Sequence, residues 1–321
     1  MDKHVVPFDS VTVFGGATLD RVARSAGPPV MGASNPGTVK RLPGGVGLNV
    51  ATVLARLGVP TRMVTAIGED ADGEAIVTSA GGVSLDTGGI AVIHGASTAG
   101  YHATFDDRGN LIIGIADMKV CDAITPAAVA TAVAASGKGD LWVIDANLPA
   151  ATLEFLTEEA ASRGRPIAAL TVSPAKAVRL LPMLDQLTYL FTNRKEAATL
   201  LGRDPDDPAL AVADLAVALT SHRPTYIMVT NGTEPLALAC KGDVRSFAPL
   251  RAAVKGVNGA GDSFAAGTIA GLGEGLPLSD AIRFGLAAAV MTLEAGSIVA
   301  APFSKDALAE RIGAGPRKIA S

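Results

Sequence analysis

Residues 257–267 read Val-Asn-Gly-Ala-Gly-Asp-Ser-Phe-Ala-Ala-Gly. Small residues here precede a helix with a carboxylate in its first turn. The first N–H groups of a helix have no intrahelical partner and sit at the positive end of its dipole. Gly259, Ala260 and Gly261 leave that backbone open to an oxyanion. A carboxylate at the same spot repels phosphate. Asp262 has a purpose there if it takes a proton from a nucleophile that attacks the phosphate. Helix capping by Asp262 accounts for the same residues equally well. Residues 44–51, Gly-Gly-Val-Gly-Leu-Asn-Val-Ala, form a second segment. Gly44 and Gly45 admit close approach of a ligand or another strand. Asn49, in the first turn of an otherwise apolar helix, could turn its amide to a sugar hydroxyl. Taken alone, a tight turn with Asn satisfying local backbone is the better reading of that segment.

Such residues need elements to position them. Short β-branched runs at 11–14, 63–67, 141–144, 167–172, 189–192 and 226–230 read as strands. Helical patterns lie between or after them, at 50–57, 72–80, 151–163, 174–184, 194–201, 210–219, 260–272, 278–293 and 305–312. Gly58 and Gly202 stop two of these helices. The alternation predicts a parallel sheet covered by helices on both faces. Residues 89–118 differ. Strands at 90–93, 101–105 and 111–115 follow one another without helices, the last two joined by an Asp-Asp-Arg-Gly-Asn turn. A small separate sheet is expected there, and a hairpin over 236–239 and 244–247. In open α/β sheets ligands bind where strands end. That rule points to Asp20, Asp145, Asn147, Asn193, Thr230 and Asp262.

Composition narrows the classes. The chain has 321 residues, 49% hydrophobic and 18% charged, with a net charge of −4. It can bury a large core, is too apolar for disorder, and has no basic footprint for nucleic acid. Cys121 and Cys240 lie far apart and read as small buried thiols, not a disulfide or zinc site. His4, His94, His102 and His222 have no metal-ligand spacing. The N-terminal ten residues hold no apolar signal core, the tail from Gly313 is expected to fray, and Arg283 interrupts the most apolar helix. No membrane partner and a cytoplasmic location are the expectation. Walker, zincin, nucleophile-elbow and dinucleotide-binding glycine motifs are absent from the sequence.

Taken together, the two glycine segments resemble the two signatures of the PfkB, or ribokinase-like, family of sugar and nucleoside kinases. One is Gly44-Gly45, Asn49, Ala51 and Leu54-Ala55-Arg56-Leu57-Gly58; the other is Gly259 to Gly267. Asn193-x-x-Glu196 is similar to the family's N-x-x-E motif, Thr230-Asn231-Gly232 to its T-x-G motif, and Gly15-Gly16 followed by Asp20 to its first strand. The resemblance implies an α/β fold, a ribokinase-like three-layer αβα sandwich forming one domain over 1–321. A small β-sheet lid would come from about 30–43 and 88–118. It implies transfer of the γ-phosphoryl of ATP to a primary hydroxyl. Asp262 would be the base, and the N–H groups of Gly259, Ala260 and Gly261 the anion hole. Asn193 and Glu196 would organise Mg²⁺, Glu196 through a water. Thr230, Gly232 and Asn258 would face the nucleotide. Asp20, Gly44, Gly45 and Asn49 would hold the acceptor. Two departures stand out. Relatives often carry Asp-Thr where this chain has Gly256-Val257, which puts a stimulating monovalent cation in doubt. Pro235 stands where many carry Gly.

The segment 104–118, with its Asp-Asp-Arg-Gly hairpin and Ala116-Asp117-Met118, resembles the pseudouridine kinase branch of the family. Residues 145–149 and 172–177 look like the same branch. Asp117, Met118 and Asn147 would then meet the base or ribose. Another nucleoside such as adenosine, a free sugar such as ribose, and a non-catalytic ligand-binding pseudo-kinase are the competing readings. The apolar strands 90–93 and 111–115 predict a homodimer through the lid sheets.

Overall fold

The computed structural model describes residues 8–313. His4, most of the N-terminal ten residues and the tail beyond Gly313 lie outside the described residues.

The strands are β1 (Ser10–Phe14), β2 (Thr18–Ser25), β3 (Gly37–Gly44), β4 (Thr61–Gly68), β5 (Asp86–Ile93), β6 (Gly100–Phe105) and β7 (Leu111–Asp117). They continue as β8 (Asp140–Asp145), β9 (Ile167–Leu170), β10 (Tyr189–Asn193), β11 (Tyr226–Asn231), β12 (Glu234–Cys240) and β13 (Asp243–Phe247). The helices are α1 (Val46–Arg56), α2 (Ala71–Gly81), α3 (Pro126–Ala135), α4 (Ala150–Ser162), α5 (Pro174–Ala177), α6 (Arg194–Leu200), α7 (Val212–Leu219), α8 (Ala260–Gly273), α9 (Leu278–Ala295) and α10 (Lys305–Gly313).

Nine strands form one sheet in the order β13-β12-β11-β10-β9-β8-β1-β4-β5. From β11 to β5 every neighbouring pair is parallel; β12 and β13 add an antiparallel edge. Alternate side chains of each strand enter opposite cores, as the two-residue period of a strand requires. Tyr189 and Phe191 of β10 join α1, α2, α8, α9 and α10 in one core. Leu190 joins α3, α4, α6 and α7 in the other. The sheet is therefore the middle of three layers. Lys241 and Gly242, both at positive φ (51° and 88°), turn β12 into β13, the primed geometry that suits a two-residue hairpin.

The small sheet runs β3-β2-β6-β7. Two expectations are corrected here. Residues 90–93 belong to β5, which pairs parallel with β4 at the edge of the large sheet and not with the lid strands. The expected lid also omits β2, whose polar Asp20, Arg21 and Arg24 hide its pairing with β3 and β6. Elsewhere the helix read over 174–184 is one α-turn, α5, followed by a 3-10 segment over Val178–Gln186 that holds Pro182. Arg21 and Arg41 of the small sheet both bind Asp72 of α2, tying the sheet to the body.

Candidate active site

The site lies at the carboxyl ends of β9, β10 and β11, facing the start of α8. Gly259 is the N-cap of α8 at φ 79°, a left-handed conformation that glycine adopts without strain, and no side chain caps this helix. The Ala260 N–H makes only a 3.4 Å turn contact with the Val257 carbonyl. Among the described residues, the Gly259 and Gly261 N–H groups have no backbone partner. These donors stay available to an anion.

Asp262 is the third residue of α8. Its Oδ2 accepts a 2.7 Å hydrogen bond from Asn49 Nδ2 on α1. Asn49 thus gives its amide N–H to the carboxylate, where the sequence alone aims it at a sugar hydroxyl. Burial pushes the Asp262 carboxyl up to about 7; the Asn49 bond opposes this, and the nearby Asp145, Glu196 and Asp20 charges reinforce it. A mostly buried carboxylate poised near neutrality at the edge of a cleft is suited to accept a proton.

Glu196 occupies the third position of α6. Asn193, the last residue of β10, caps that helix: its Oδ1 accepts from the Glu196 N–H at 3.0 Å, and Glu196 Oε2 accepts from the Asn193 N–H at 3.1 Å. The Thr171 hydroxyl donates to the same Oε2. Thr171 was not foreseen, although it follows β9 as the strand-end rule requires. Next to it, Val172 sits at φ 67° with the Ser173 N–H bonded to the Thr171 carbonyl at 2.8 Å, a strained γ-turn for a β-branched residue.

Thr171, Val172, Asn193, Glu196, Thr230, Asn258, Gly259, Gly261 and Asp262 line one cleft of about 460 Å³, floored by Leu170, Phe191 and Phe264. Val46 of the first signature segment lines it too and Asn49 bonds Asp262, so the two signature segments, and the Asn193 and Thr230 motifs between them, meet.

Asp20 lies within β2 of the small sheet, not after a strand of the large one. Its Oδ1 accepts from the Thr18 hydroxyl at 2.6 Å, and burial raises its carboxyl above the usual range. Gly44 ends β3 against it: a Cβ there would fall 2.4 Å from Asp20 Oδ2. Gly45, at φ 90°, starts α1 so close to the β1–β2 turn that a Cβ would meet the Gly16 carbonyl at 2.7 Å. Asp145, fully buried at the end of β8, accepts from the N–H groups of Gly16 (2.9 Å) and Asn147 (2.8 Å). Burial raises it too, and those bonds oppose the shift.

Three expected residues fall elsewhere. Asp117 is exposed at the end of β7 and accepts from the Lys119 N–H. Met118 packs against the second core. Gly232, at φ 59°, is in the two-residue turn after β11 and does not line the cleft. The Gly256 Cα packs on Gly296; a Cβ would lie 2.6 Å from its carbonyl oxygen.

Residues 9–303 match the model of the pfkB family carbohydrate kinases. Pseudouridine kinase of Escherichia coli is 29% identical, over 89% of this chain and 90% of its own. The structure of a carbohydrate kinase from Agrobacterium tumefaciens superposes with a TM-score of 0.81 at 32% identity, covering 96% of this chain and 98% of the other. Arabidopsis thaliana ribokinase, solved with ribose and ATP, shares the fold (TM-score 0.80, 20% identity, 95% and 99% covered). With a ribokinase-like α/β fold and a family model matched across nearly its whole length, the chain belongs to the pfkB family of carbohydrate kinases.

Proposed function

We propose that this kinase transfers the γ-phosphoryl of ATP to the 5′-hydroxyl of pseudouridine, giving pseudouridine 5′-phosphate. The observation that carries the phosphoryl-transfer reading is Asp262, lining the cleft beside an uncapped helix start, with its carboxyl pushed by burial up to about 7. The acceptor oxygen attacks the γ-phosphorus, its proton passes to Asp262, and the bond from that phosphorus to the β–γ bridging oxygen breaks. ADP and a phosphate ester remain. The Gly259 and Gly261 N–H groups face the charge that develops, so positioning and electrostatics suffice.

Both hydrogen bonds of the buried Glu196 carboxylate fall on Oε2. Among the described residues no group of three or more His, Cys, Asp or Glu is placed to cage a metal. That donor set fits Mg²⁺, which keeps waters and takes phosphate oxygens, and Asn193 and Glu196 would hold its shell. The ion supplies charge neutralisation on the phosphates when bound. We infer little dependence on K⁺, because no side chain fits at Gly256 to ligate it. Replacing K⁺ by tetramethylammonium should leave the rate unchanged, and a large loss overturns this.

The pseudouridine kinase of E. coli and the 104–118 segment favour pseudouridine. Ribose, named with the Arabidopsis ribokinase, is the second acceptor to weigh, and adenosine the third. A panel of these with ATP and Mg²⁺ decides: turnover of pseudouridine above the others is expected, and turnover of ribose or adenosine alone sinks the reading. A non-catalytic role is disfavoured by the intact Asp262 and its glycine loop. Leu111, Ile113 and Ile115 on one face of β7 are each more than half exposed, and a second copy is the proposed cover. Light scattering should report a dimer; a monomer at micromolar concentration would refute it. No helix of the described residues is long and apolar enough to cross a membrane.

A further inference from the structure

Two cations, Lys176 and Arg179, converge on the turn after β8, beside the buried Asp145. Lys176, in α5, reaches across to the turn after β8, and its ammonium donates to Asn147 Oδ1. One helical turn later, Arg179 Nη1 donates to the carbonyls of Ala146, Asn147 and Leu148 at 3.2, 3.3 and 3.2 Å. The same short segment thus holds both the backbone and the side chain of Asn147, itself 7% exposed.

An amide can present either its oxygen or its nitrogen to a neighbour, and the two ends have nearly the same shape. An ammonium has three donors and no acceptor, so only the oxygen can face it. With Oδ1 committed to Lys176, Nδ2 is turned to the opposite side. There it lies 2.9 Å from where a Cβ on Gly16 would stand, and beside the Asp145 carboxylate. Gly16 opens that volume; it is the residue before the turn that packs on Gly45 and leads to Asp20. The amide nitrogen has two hydrogens. One toward Asp145 leaves the second for a ligand.

We propose that Lys176 is a positioning residue for acceptor selectivity: by holding Oδ1, it makes the turn after β8 show the phosphoryl acceptor an N–H donor. The ligand atom met there is then a carbonyl or hydroxyl oxygen. This rests on the kinase reading above but not on the identity of the acceptor. Without the ammonium, the amide is free to rotate, and a carbonyl oxygen facing a ligand oxygen is repulsive. Asp145 would also lose the nearby positive charge of Lys176.

The test uses the full chain with whichever acceptor of the panel is turned over, so that failure of pseudouridine as substrate and failure of this proposal are separate results. Lys176→Met should raise the acceptor KM about tenfold or more, the size of one charge-assisted hydrogen bond. The KM for ATP should not move. Lys176→Arg, which still donates and cannot accept, should restore most of the loss. Asn147→Asp keeps an acceptor for Lys176 and removes the N–H donor, so it should also raise the acceptor KM. An unchanged acceptor KM in Lys176→Met overturns the proposal. So does a parallel rise in the KM for ATP, or an Asn147→Asp variant that binds acceptor as the wild type does. Should Lys176→Met fail to fold, Lys176→Arg and Asn147→Asp decide: restored affinity in the first with lost affinity in the second is the expected pair, and any other pair refutes it.

Discussion

Two carboxylates face the same cleft from the same helical position, yet their surroundings differ. Glu196 is third in α6 and Asp262 third in α8. Glu196 sits in a complete capping box and takes a further hydroxyl from Thr171. Asp262 follows a bare glycine cap and has a single side-chain donor, Asn49. Hydrogen bonds to a carboxylate favour its charged form, whereas burial without them favours the proton. Glu196 has its Oε2 held by two donors, an arrangement that suits the cation-ordering role proposed for it. The poorly bonded one is left able to take up and release a proton. Position on a helix does not assign the role; the number of donors does.

The sharpest way to break this contrast is Asp262→Asn. A drop in kcat of about 10³-fold is expected, in the range for loss of a general base, with ATP affinity preserved in a binding titration. Retained turnover would remove the base from α8. Next comes Glu196→Gln, which should weaken the apparent affinity for Mg²⁺ about 10- to 100-fold without displacing the acid limb of the rate profile. A displaced limb with normal Mg²⁺ dependence would mean the two roles are exchanged. Asn49→Ala is subtler. Removing the donor that holds Asp262 down lets its carboxyl rise further above about 7, so the acid limb of kcat/KM should move to higher pH. The loss should therefore be largest on the acid side and recover as pH rises; a loss equal at all pH values would make Asn49 a packing residue only.

The smallest effect concerns stability. The Asp262 carboxyl lies at about 7 in the fold against 3.8 for the free group, so the folded state binds its proton more tightly. Its contribution is fully present below pH 3.8 and is lost as pH rises through about 7. Asp262→Asn should raise Tm at pH 8 relative to the wild type, and the gain should shrink toward zero near pH 4. Melting curves across that interval check the sign. A gain that grows on acidification contradicts the raised value.

The helices with a polar face and the strands with β-branched runs were legible because period and burial agree there. Three elements were not. α3 is alanine-rich and apolar nearly all round, so it has no face to read, although Thr125 caps it and Pro126 starts it. β2 reads Thr-Leu-Asp-Arg-Val-Ala-Arg-Ser, which breaks the two-residue alternation of a half-buried strand, in a sheet that buries only part of it. β5 has the sequence of a lid strand; what assigns it to the large sheet is pairing with β4, a tertiary fact. At the site, Asp262 and the glycines around it announce themselves through helix-start chemistry. The Asn49–Asp262 bond spans 213 positions and carries no local signal. Nor does the contact of Lys176 with Asn147, since an isolated lysine after a Ser-Pro helix start looks like any solvated side chain.

Asp20 rides on β2 and Gly44 on β3, whereas Asp262 rides on α8. The groups proposed to grip the acceptor and the group proposed to deprotonate it are thus mounted on different layers. The small sheet connects to the body through the short link after β1, through Gly45, and through the segments before β6 and after β7, with the Arg21 and Arg41 contacts to Asp72 bracing it. In mechanical terms the sheet is a lever arm, its four chain links the fulcrum and the arginine pair its stop. Any tilt of the arm changes the reach from Asp20 to Asp262 directly. The alignment of acceptor and base is therefore a property of how stiffly that arm is held, and loosening the brace at Asp72 would blur the register of the reacting atoms without touching either of them.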